Sequence, residues 1–394
     1  MTSQHTAARA LLSRFPLVDG HNDLPWELRE AGREDLDQTN LAAPVPFTHT
    51  DLPRIAEGGL GAQFWSVFVP ATLQGDGAVA ATLEQVDLVR RMTRRYPDVL
   101  ELALTAADVD RIFAAGKVAS LIGAEGGHSI ASSMGVLRVL YGIGVRYLTL
   151  THNANVPWAD SATDEPKAGG LTAFGREVVG EMQRLGMLVD LSHVSPATMR
   201  DALDAAEAPV IFSHSAARAL CDHPRNVPDE ILARLPPNRG VCMVTFVPSF
   251  VSPECRDWES DLRAEMERRG MEPWDLASRA TVRQEWAPGH PRPVATLAQV
   301  ANHIEHVREV AGIDHVGIGG DFDGTDQLPE GLADVSCYPA LIAELLGRGW
   351  SEEDCRRLAG GNILRVMREA EAAARAIGAQ RGPSTARIGD FGGR

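Results

Sequence analysis

The chain has 394 residues, of which 44% are hydrophobic, and 53 acidic residues outnumber 38 basic ones to give a net charge of −15. This length suits one elaborated α/β barrel, and the acidic balance argues against nonspecific binding to nucleic acid or to anionic lipid. The five cysteines are scattered without any Cys-x-x-Cys pair, which excludes a disulfide framework and a thiolate zinc site.

Eight short apolar runs predict buried parallel strands, because most of them lack the alternation of a half-exposed strand. The predicted strands cover residues 16–23, 62–69, 119–126, 146–152, 187–193, 210–214, 240–247 and 315–321. Stretches of helical character lie between them, at residues 82–95, 172–185, 197–206 and 296–310. Eight strands that alternate with helices predict an α/β fold of the (β/α)8 TIM-like barrel type.

Residues 248–293 interrupt this alternation between the seventh and the eighth predicted strand. They are charged, contain Trp258, Trp274 and Trp286, and are too many for a simple connection. A packed helical insertion is one interpretation, and a lid or an oligomer contact is the other. Residues 340–377 predict C-terminal helices on the barrel exterior, and the polar residues 381–394 predict a flexible tail. We therefore expect a single barrel domain over residues 1–380.

Side chains that bind metal ions end four of the predicted strands. His21 and Asp23 end the first strand two residues apart, so both point to the same face and can bind one cation. Glu125, His193 and His214 end the third, fifth and sixth strands. In a parallel barrel all five would meet at the carboxyl-end rim. Imidazole and carboxylate ligands without thiolate suit Zn²⁺, with Mn²⁺ and Co²⁺ as alternatives.

The number of ligands favours two ions over one. Three imidazoles and two carboxylates exceed the three protein ligands that a single catalytic zinc needs. If Glu125 bridges, then His21, Asp23 and Glu125 bind one ion, and Glu125, His193 and His214 bind the other. We therefore predict two Zn²⁺ per chain, bridged by Glu125 and by a water that becomes a hydroxide near neutral pH.

Three further side chains are expected at the same rim. His152 ends the fourth strand, where its imidazole could polarise a scissile carbonyl. Asp321 ends the eighth strand, where it could accept a proton from the attacking water and pass it to the leaving amine. Asp323 is the alternative for that role, although its side chain could simply cap the turn. Arg225 follows the sixth strand and could bind a substrate carboxylate through two hydrogen bonds.

Eight motifs in these segments resemble those of the membrane (renal) dipeptidases, peptidase family M19 of the amidohydrolase superfamily. They are VDGHNDLP at 18–25, EGGHS at 125–129, LTHN at 150–153, DLSHVS at 190–195, FSHS at 212–215, RNVPD at 225–229, GGDFDG at 319–324 and GGNILR at 360–365. The motifs extend in order over nearly the whole chain, which makes the combination highly specific.

The resemblance implies a metal-dependent hydrolase barrel with two zinc ions that cleaves a small dipeptide, with a D-residue at the C-terminal position as a candidate preference. It assigns metal binding to the five ligands above and substrate roles to His152, Arg225 and Asp321. Mammalian relatives are secreted, disulfide-linked and membrane-anchored. Because neither a signal peptide, nor that cysteine pattern, nor an anchor tail is evident here, we expect a bacterial-type, cytoplasmic member without a membrane partner. A homodimer is one candidate for the oligomeric state, which the sequence leaves open.

Two other functions are weighed against a dipeptidase. Other amide hydrolases of the superfamily bridge their metals with a carbamylated lysine, but Lys117 precedes the third strand and Lys167 lies in a loop. A non-catalytic metal-binding barrel would show gaps in the ligand set, and none is visible. His303 and His306 lie one turn apart on a predicted helix without a third ligand, which favours a solvated helix face.

Overall fold

Parallel strands close into a barrel, as the strand pattern predicts. The computed structural model describes residues 3–31, 34–271 and 276–391. Within these residues the strands, in chain order, are β1 (Leu17–Asn22), β2 (Leu60–Phe68), β3 (Leu100–Leu102), β4 (Val118–Glu125), β5 (Val145–Thr149), β6 (Leu188–Asp190), β7 (Ile211–Ser215), β8 (Val241–Val244) and β9 (Val316–Ile318). The ring runs β2-β1-β9-β8-β7-β6-β5-β4 and is closed by parallel pairing of β4 with β2. These eight strands coincide with the eight predicted ones, which confirms the (β/α)8 barrel.

The strand β3 is the one that the sequence does not predict. It has three residues, of which only Leu100 is buried, so its apolar signal is too short to be recognised. It pairs with the first residues of β4, from Val118 to Ser120, whereas β5 pairs with the later residues of β4. It therefore lies outside the barrel ring, at the end opposite the predicted metal ligands.

Helices cover the outside of the barrel. They are α1 (Ser3–Leu12), α2 (Leu24–Glu30), α3 (Leu52–Gly58), α4 (Asp76–Arg95), α5 (Ala106–Ala114), α6 (Met134–Gly142), α7 (Ala173–Leu185), α8 (Pro196–Ala205), α9 (Asp229–Leu232), α10 (Leu235–Asn238), α11 (Pro248–Val251), α12 (Pro253–Arg268), α13 (Leu276–Trp286), α14 (Leu297–Ala311), α15 (Tyr338–Gly347), α16 (Glu352–Arg356) and α17 (Asn362–Gln380). None of the described helices is long and apolar enough to cross a membrane.

Local capping residues explain where the predicted helices begin and end. Thr172 accepts a hydrogen bond from the third residue of α7, and Gly186 ends that helix in the left-handed conformation with φ of 87°. Ser195 caps α8 ahead of a proline in the first turn. Thr296 and Gln299 form a reciprocal capping box at the start of α14. The predicted helix at 82–95 is α4, which begins earlier, at Asp76.

The insertion after β8 is a packed helical segment with a small core of its own. The indole of Trp258 donates a hydrogen bond to the carbonyl of His290 at 2.7 Å, and its ring lies 5.3 Å from that of Trp286. Trp274 lies outside the described residues. The buried members of this core are Trp258, Leu262, Met266 and Val282. Side chains of α12 and α13 also line the outer part of the cavity at the carboxyl ends of the barrel strands.

The C-terminal helices pack against the outside of the barrel, as predicted. A π-helical turn, Arg357–Gly361, joins α16 to α17. Asn362 donates hydrogen bonds to the carbonyls of Ile313 and Val316 at 2.6 and 2.8 Å, which ties α17 to the start of β9. After α17, Ser384 hydrogen-bonds Glu181 of α7.

Candidate active site

All eight side chains predicted from the sequence lie around one cavity of about 500 Å³ at the carboxyl ends of the strands. β1, β4 and β7 carry His21, Glu125 and His214, whereas Asp23, His193 and Asp321 lie in the turns that follow β1, β6 and β9. The cavity is lined by Asp23, Glu125, His152, His193, His214, Arg225 and Asp321, among others, and His21 lies directly beneath Asp23 and Glu125. The structure therefore brings the predicted residues of six strand ends and the Arg225 loop into one place.

Glu125 lies between the imidazoles of His193 and His214 on one side and that of His21 on the other. Its Oε1 atom is 2.8 Å from His193 Nε2 and 3.4 Å from His214 Nε2. Its Oε2 atom is 3.5 Å from His21 Nε2 and accepts a hydrogen bond from Ser66 at 3.1 Å. Each carboxylate oxygen thus faces a different set of ligand atoms.

The group on the Oε1 side has the spacing that a tetrahedral zinc requires. Ligands at about 2.0–2.1 Å from a tetrahedral ion lie about 3.3 Å from one another. The Nε2 atoms of His193 and His214 are 3.0 Å apart, and the distances to Glu125 are given above. Burial lowers the pKa of His193 and His214 well below the ordinary value, so both imidazoles are neutral, as metal ligands must be.

The group on the Oε2 side contains buried polar atoms that a cation would satisfy. His21 Nε2 is 3.3 Å from Asp23 Oδ2 and 4.0 Å from Asp321 Oδ1. Neither His21 Nε2 nor Asp23 Oδ1 makes a well-formed hydrogen bond to any described residue. Because buried polar atoms are normally paired, this orphaned nitrogen and oxygen fit a metal ion.

His21 is oriented from inside the barrel by a side chain that the sequence analysis does not single out. Its Nδ1 atom is 2.8 Å from the hydroxyl of Tyr147, which in turn donates to the carbonyl of Gly20 at 3.3 Å. A hydroxyl that donates its one proton to Gly20 accepts from Nδ1 of His21, and this contact turns Nε2 of the ring toward Asp23 and Glu125. Gly123 permits this arrangement, because a Cβ atom there would lie 1.9 Å from the Tyr147 ring.

Two of the site residues adopt a left-handed backbone that non-glycine residues rarely populate. His193 has φ of 68° and Asp321 has φ of 62°. The Asp321 backbone is held by donation of its N–H to the His21 carbonyl at 3.2 Å. A Cβ on Gly324 would lie 2.3 Å from carboxylate oxygens of both Asp23 and Asp321, so only glycine fits there. Such strain costs on the order of 1–3 kcal/mol per residue and concentrates at functional sites.

Arg225 is a buried cation that forms no ion pair with any described residue. Its side chain is 2% exposed, and its Nη1 atom has no hydrogen-bond partner among the described residues. Its Nη2 atom donates to the carbonyl of His214 at 3.5 Å, and the guanidinium lies 5.2 Å from the centre of the Phe250 ring. Burial lowers the pKa of Arg225 to about 10. The group is therefore available to an anion that enters the cavity.

His152 lies between the metal-ligand cluster and an apolar wall. Its ring centre is 4.3 Å from that of His193 and 4.7 Å from that of Phe68, and its Nε2 atom is 4.0 Å from Glu125 Oε1. Burial lowers the pKa of His152 to about 4, so the imidazole is neutral at pH 7. A neutral imidazole there can donate one hydrogen bond into the cavity.

The two aspartates after β9 have different surroundings. Burial raises the pKa of Asp321 well above its usual range, and no backbone N–H caps its carboxylate in the described contacts. Asp323 instead accepts the backbone N–H of His49 at 2.5 Å, and burial raises the pKa of Asp323 to about 7. The cap engages only Oδ1 of Asp323, but Asp321 is the one whose carboxylate lies 4.0 Å from His21 Nε2, next to the cluster.

His303 and the two lysines lie away from the metal-ligand cluster. His303 is not on a solvated helix face as predicted; it is 1% exposed and joins the Ala217 amide to the Val251 carbonyl. The apolar spacing of α14 continues through His303, which the sequence does not distinguish from a polar position. Lys117 pairs with Glu101 at the start of β4 and Lys167 is exposed, so neither lysine can bridge metals in this cluster.

Comparison with known proteins identifies the family. The model described as "Membrane dipeptidase (Peptidase family M19)" matches residues 5–381. Dipeptidase 3 of Rattus norvegicus is 44% identical over 371 residues, which are 92% of this chain and 67% of that protein. The chain belongs to peptidase family M19. It is accordingly a metallodipeptidase, a metal-dependent hydrolase of peptide bonds.

Solved structures share the fold of this chain. The probable dipeptidase PvdM from Pseudomonas aeruginosa superposes with a TM-score of 0.82 at 24% identity, over 94% of this chain and 99% of that one. A metallopeptidase from Rhodobacter sphaeroides, liganded with a phosphinate mimic of the dipeptide L-Ala-D-Ala, superposes with a TM-score of 0.73 at 25% identity. That match covers 90% of this chain and 99% of the other.

Proposed function

We propose that this M19 protein is a binuclear zinc dipeptidase that hydrolyses free dipeptides. The observation that carries the proposal is the position of Glu125, whose two oxygens face two separate sets of ligand atoms. His21, Asp23 and Glu125 bind one ion, and Glu125, His193 and His214 bind the other. When bound, the two zinc ions would activate a shared water and polarise the scissile carbonyl.

Substrate length follows from the charged groups that surround the ligands. The buried guanidinium of Arg225 binds the C-terminal carboxylate of the substrate, and the Asp321 side receives its α-amine. Because both groups line the same cavity, we expect a substrate held at both ends to contain one peptide bond. The Rhodobacter sphaeroides relative holds a mimic of L-Ala-D-Ala, which supports acceptance of a D-residue at the C-terminal position.

Asp321 and His152 perform the proton transfer and the stabilisation of charge. Asp321 accepts a proton from the attacking water and delivers it to the departing amine nitrogen. Its carboxylate lies 4.0 Å from Nε2 of the metal ligand His21, within the cavity, which supports a position beside the attacking water. The neutral His152 donates its N–H to the carbonyl oxygen while negative charge develops there.

Other expectations from the sequence stay predictions. They are the choice of zinc over manganese or cobalt, the cytoplasmic location, a homodimer, and the division into a barrel domain at 1–380 and a tail at 381–394.

Metal analysis combined with peptide hydrolysis tests the proposal. Wild-type protein should bind two zinc ions per chain and cleave free dipeptides, with tripeptides and N-acetylated dipeptides as poor substrates. Glu125→Gln should disturb both ions. Glu181→Gln is the matched control, because Glu181 is equally buried but pairs with Arg138 and Arg184 on the barrel exterior. A single ion in fully active enzyme contradicts the binuclear assignment, and efficient cleavage of long peptides contradicts the substrate assignment.

A further inference from the structure

A buried carboxylate lies behind His214 on the side away from the cavity. Asp190 is the last residue of β6, is fully buried, and does not line the cavity. Its Oδ1 atom accepts the backbone N–H groups of Ser192 at 3.1 Å and Ser213 at 2.8 Å. Its Oδ2 atom accepts the hydroxyls of Thr149 at 2.5 Å and Ser213 at 2.7 Å.

The Ser213 hydroxyl connects this carboxylate to the imidazole. Ser213 Oγ is 2.8 Å from His214 Nδ1. A hydroxyl has one proton to donate, and Asp190 Oδ2 at 2.7 Å and His214 Nδ1 at 2.8 Å compete for it, with Ser192 Oγ farther away at 3.5 Å. The carboxylate oxygen can only accept, so a 2.7 Å contact without the serine proton would bring two lone pairs together, whereas His214 can carry its own proton on Nδ1 and donate it. Because the serine proton is directed to Asp190, Ser213 Oγ can only accept from His214, and the histidine proton must be on Nδ1.

We infer that Asp190 and Ser213 form a relay that fixes the tautomer of His214 and so presents its unprotonated Nε2 atom to the cation site. Asp190 is thus a positioning residue, which acts on the metal through Ser213 and His214. Outer partners of this kind orient a ligand imidazole and raise its basicity. The inference rests on the metal site of the proposed function, but the position of the His214 proton can be measured in metal-free protein.

The chemistry of the carboxamide provides a sharp test. In Asp190→Asn the amide oxygen should stay at the Oδ1 position, because two backbone N–H groups donate there. The amide nitrogen then faces the hydroxyls of Thr149 and Ser213 and donates to both. Ser213 is left to donate its proton to His214 Nδ1, which moves the imidazole proton to Nε2. The substitution therefore reverses the direction of both hydrogen bonds of Ser213 with almost no change in side-chain volume.

The experiment measures the tautomer and the zinc affinity separately. Imidazole ¹⁵N shifts of metal-free protein, with the His214 signals assigned by their loss in His214→Asn, should show the proton on Nδ1 in wild type and on Nε2 in Asp190→Asn. Zinc titration against a chromophoric chelator should show affinity about 10- to 100-fold weaker in that variant. Ser213→Ala removes the relay with a smaller perturbation, and it should weaken zinc binding while leaving His214 without a fixed tautomer.

Thr149→Val is the matched control. It deletes a hydrogen bond to the same Oδ2 atom but leaves the Asp190–Ser213–His214 contacts in place, so tautomer and zinc affinity should be unchanged. An unchanged tautomer in Asp190→Asn overturns the inference, as does an equal loss of affinity in Thr149→Val. If the relay behaves as described but dipeptides are not cleaved, the proposed function fails while the relay stands.

Discussion

Replacement of Arg225 by methionine is expected to make the metal-free protein more stable and the enzyme less efficient. The guanidinium is almost completely buried, and among the described residues its Nη1 atom meets no hydrogen-bond acceptor. A buried charge without a partner is unfavourable, whereas a thioether of similar length is well suited to the same surroundings beside Phe250. Arg225 therefore lowers the free energy of unfolding of the metal-free protein, while its guanidinium remains available to bind an anion.

The magnitudes follow from the pKa shift and from the contact that the cation makes with substrate. Burial lowers the pKa of Arg225 from 12.5 to about 10. At about 1.4 kcal/mol per pH unit, the cation is disfavoured in the folded protein by roughly 3 kcal/mol. This penalty is present below pH 10 and disappears as the pH rises toward 12.5, so at pH 7 the free energy of unfolding should increase by up to that amount in Arg225→Met. Loss of a buried charge-assisted contact should raise the activation free energy that governs kcat/KM by about 2–5 kcal/mol. This change lowers kcat/KM by roughly 30- to 5000-fold.

The assay compares a free dipeptide with its C-terminal amide. Wild-type enzyme should prefer the free dipeptide strongly, and Arg225→Met should lose that preference because the amide has no carboxylate to bind. Arg218→Met is the control, since Arg218 lies nearby after β7 and pairs with Asp222 at the surface. Equal losses on the free dipeptide and the amide would remove Arg225 from carboxylate binding. A lower free energy of unfolding in metal-free Arg225→Met would refute the argument about the uncompensated cation.

Three further predictions address the chemistry and the packing around it. Asp321→Asn should retain both metals and lose about 10²–10⁴ in kcat; loss of metal in proportion to activity would make Asp321 chiefly a ligand. His152→Asn should keep its metal and lose roughly 10²–10³ in kcat, and an unchanged kcat would remove it from charge stabilisation. Gly123→Ala should lower the free energy of unfolding by at least about 1–3 kcal/mol, measured with denaturant, because the new methyl group would overlap the Tyr147 ring; a neutral effect would contradict this close packing.

The barrel and its rim could be predicted because both follow from local patterns. A parallel strand is recognised by a short apolar run, and the carboxyl ends of parallel strands must meet at one end of the barrel. Glu125 and His214 were therefore expected to be neighbours although 89 residues separate them, and their side chains do lie 3.4 Å apart. The β3 strand has no such pattern, because two of its three residues are half-exposed.

Contacts inside the barrel are harder to predict, because they join residues of the same face on different strands. His21 and Tyr147 are 126 residues apart, and nothing in the sequence around Tyr147 distinguishes a tyrosine that orients an imidazole from one that fills the core. His303 presents the same difficulty on a helix. Its position in the periodic pattern does not reveal that both ring nitrogens have backbone partners.

The interior below the rim is a polar layer, and this layer is what gives the ligands their orientation. Asp19 accepts hydrogen bonds from the backbone of His21 at 2.8 Å and of Gly320 at 3.0 Å, which joins the end of β1 to the end of β9. Asp190 lies behind His214, to which it is joined through Ser213. An apolar layer would fill the same volume, but it could fix neither the proton of an imidazole nor the backbone that carries it. Asp19 precedes His21 by two residues, and the two-residue period of a strand places both side chains on the same face. The position of Asp19 in this polar layer can therefore be inferred from the sequence.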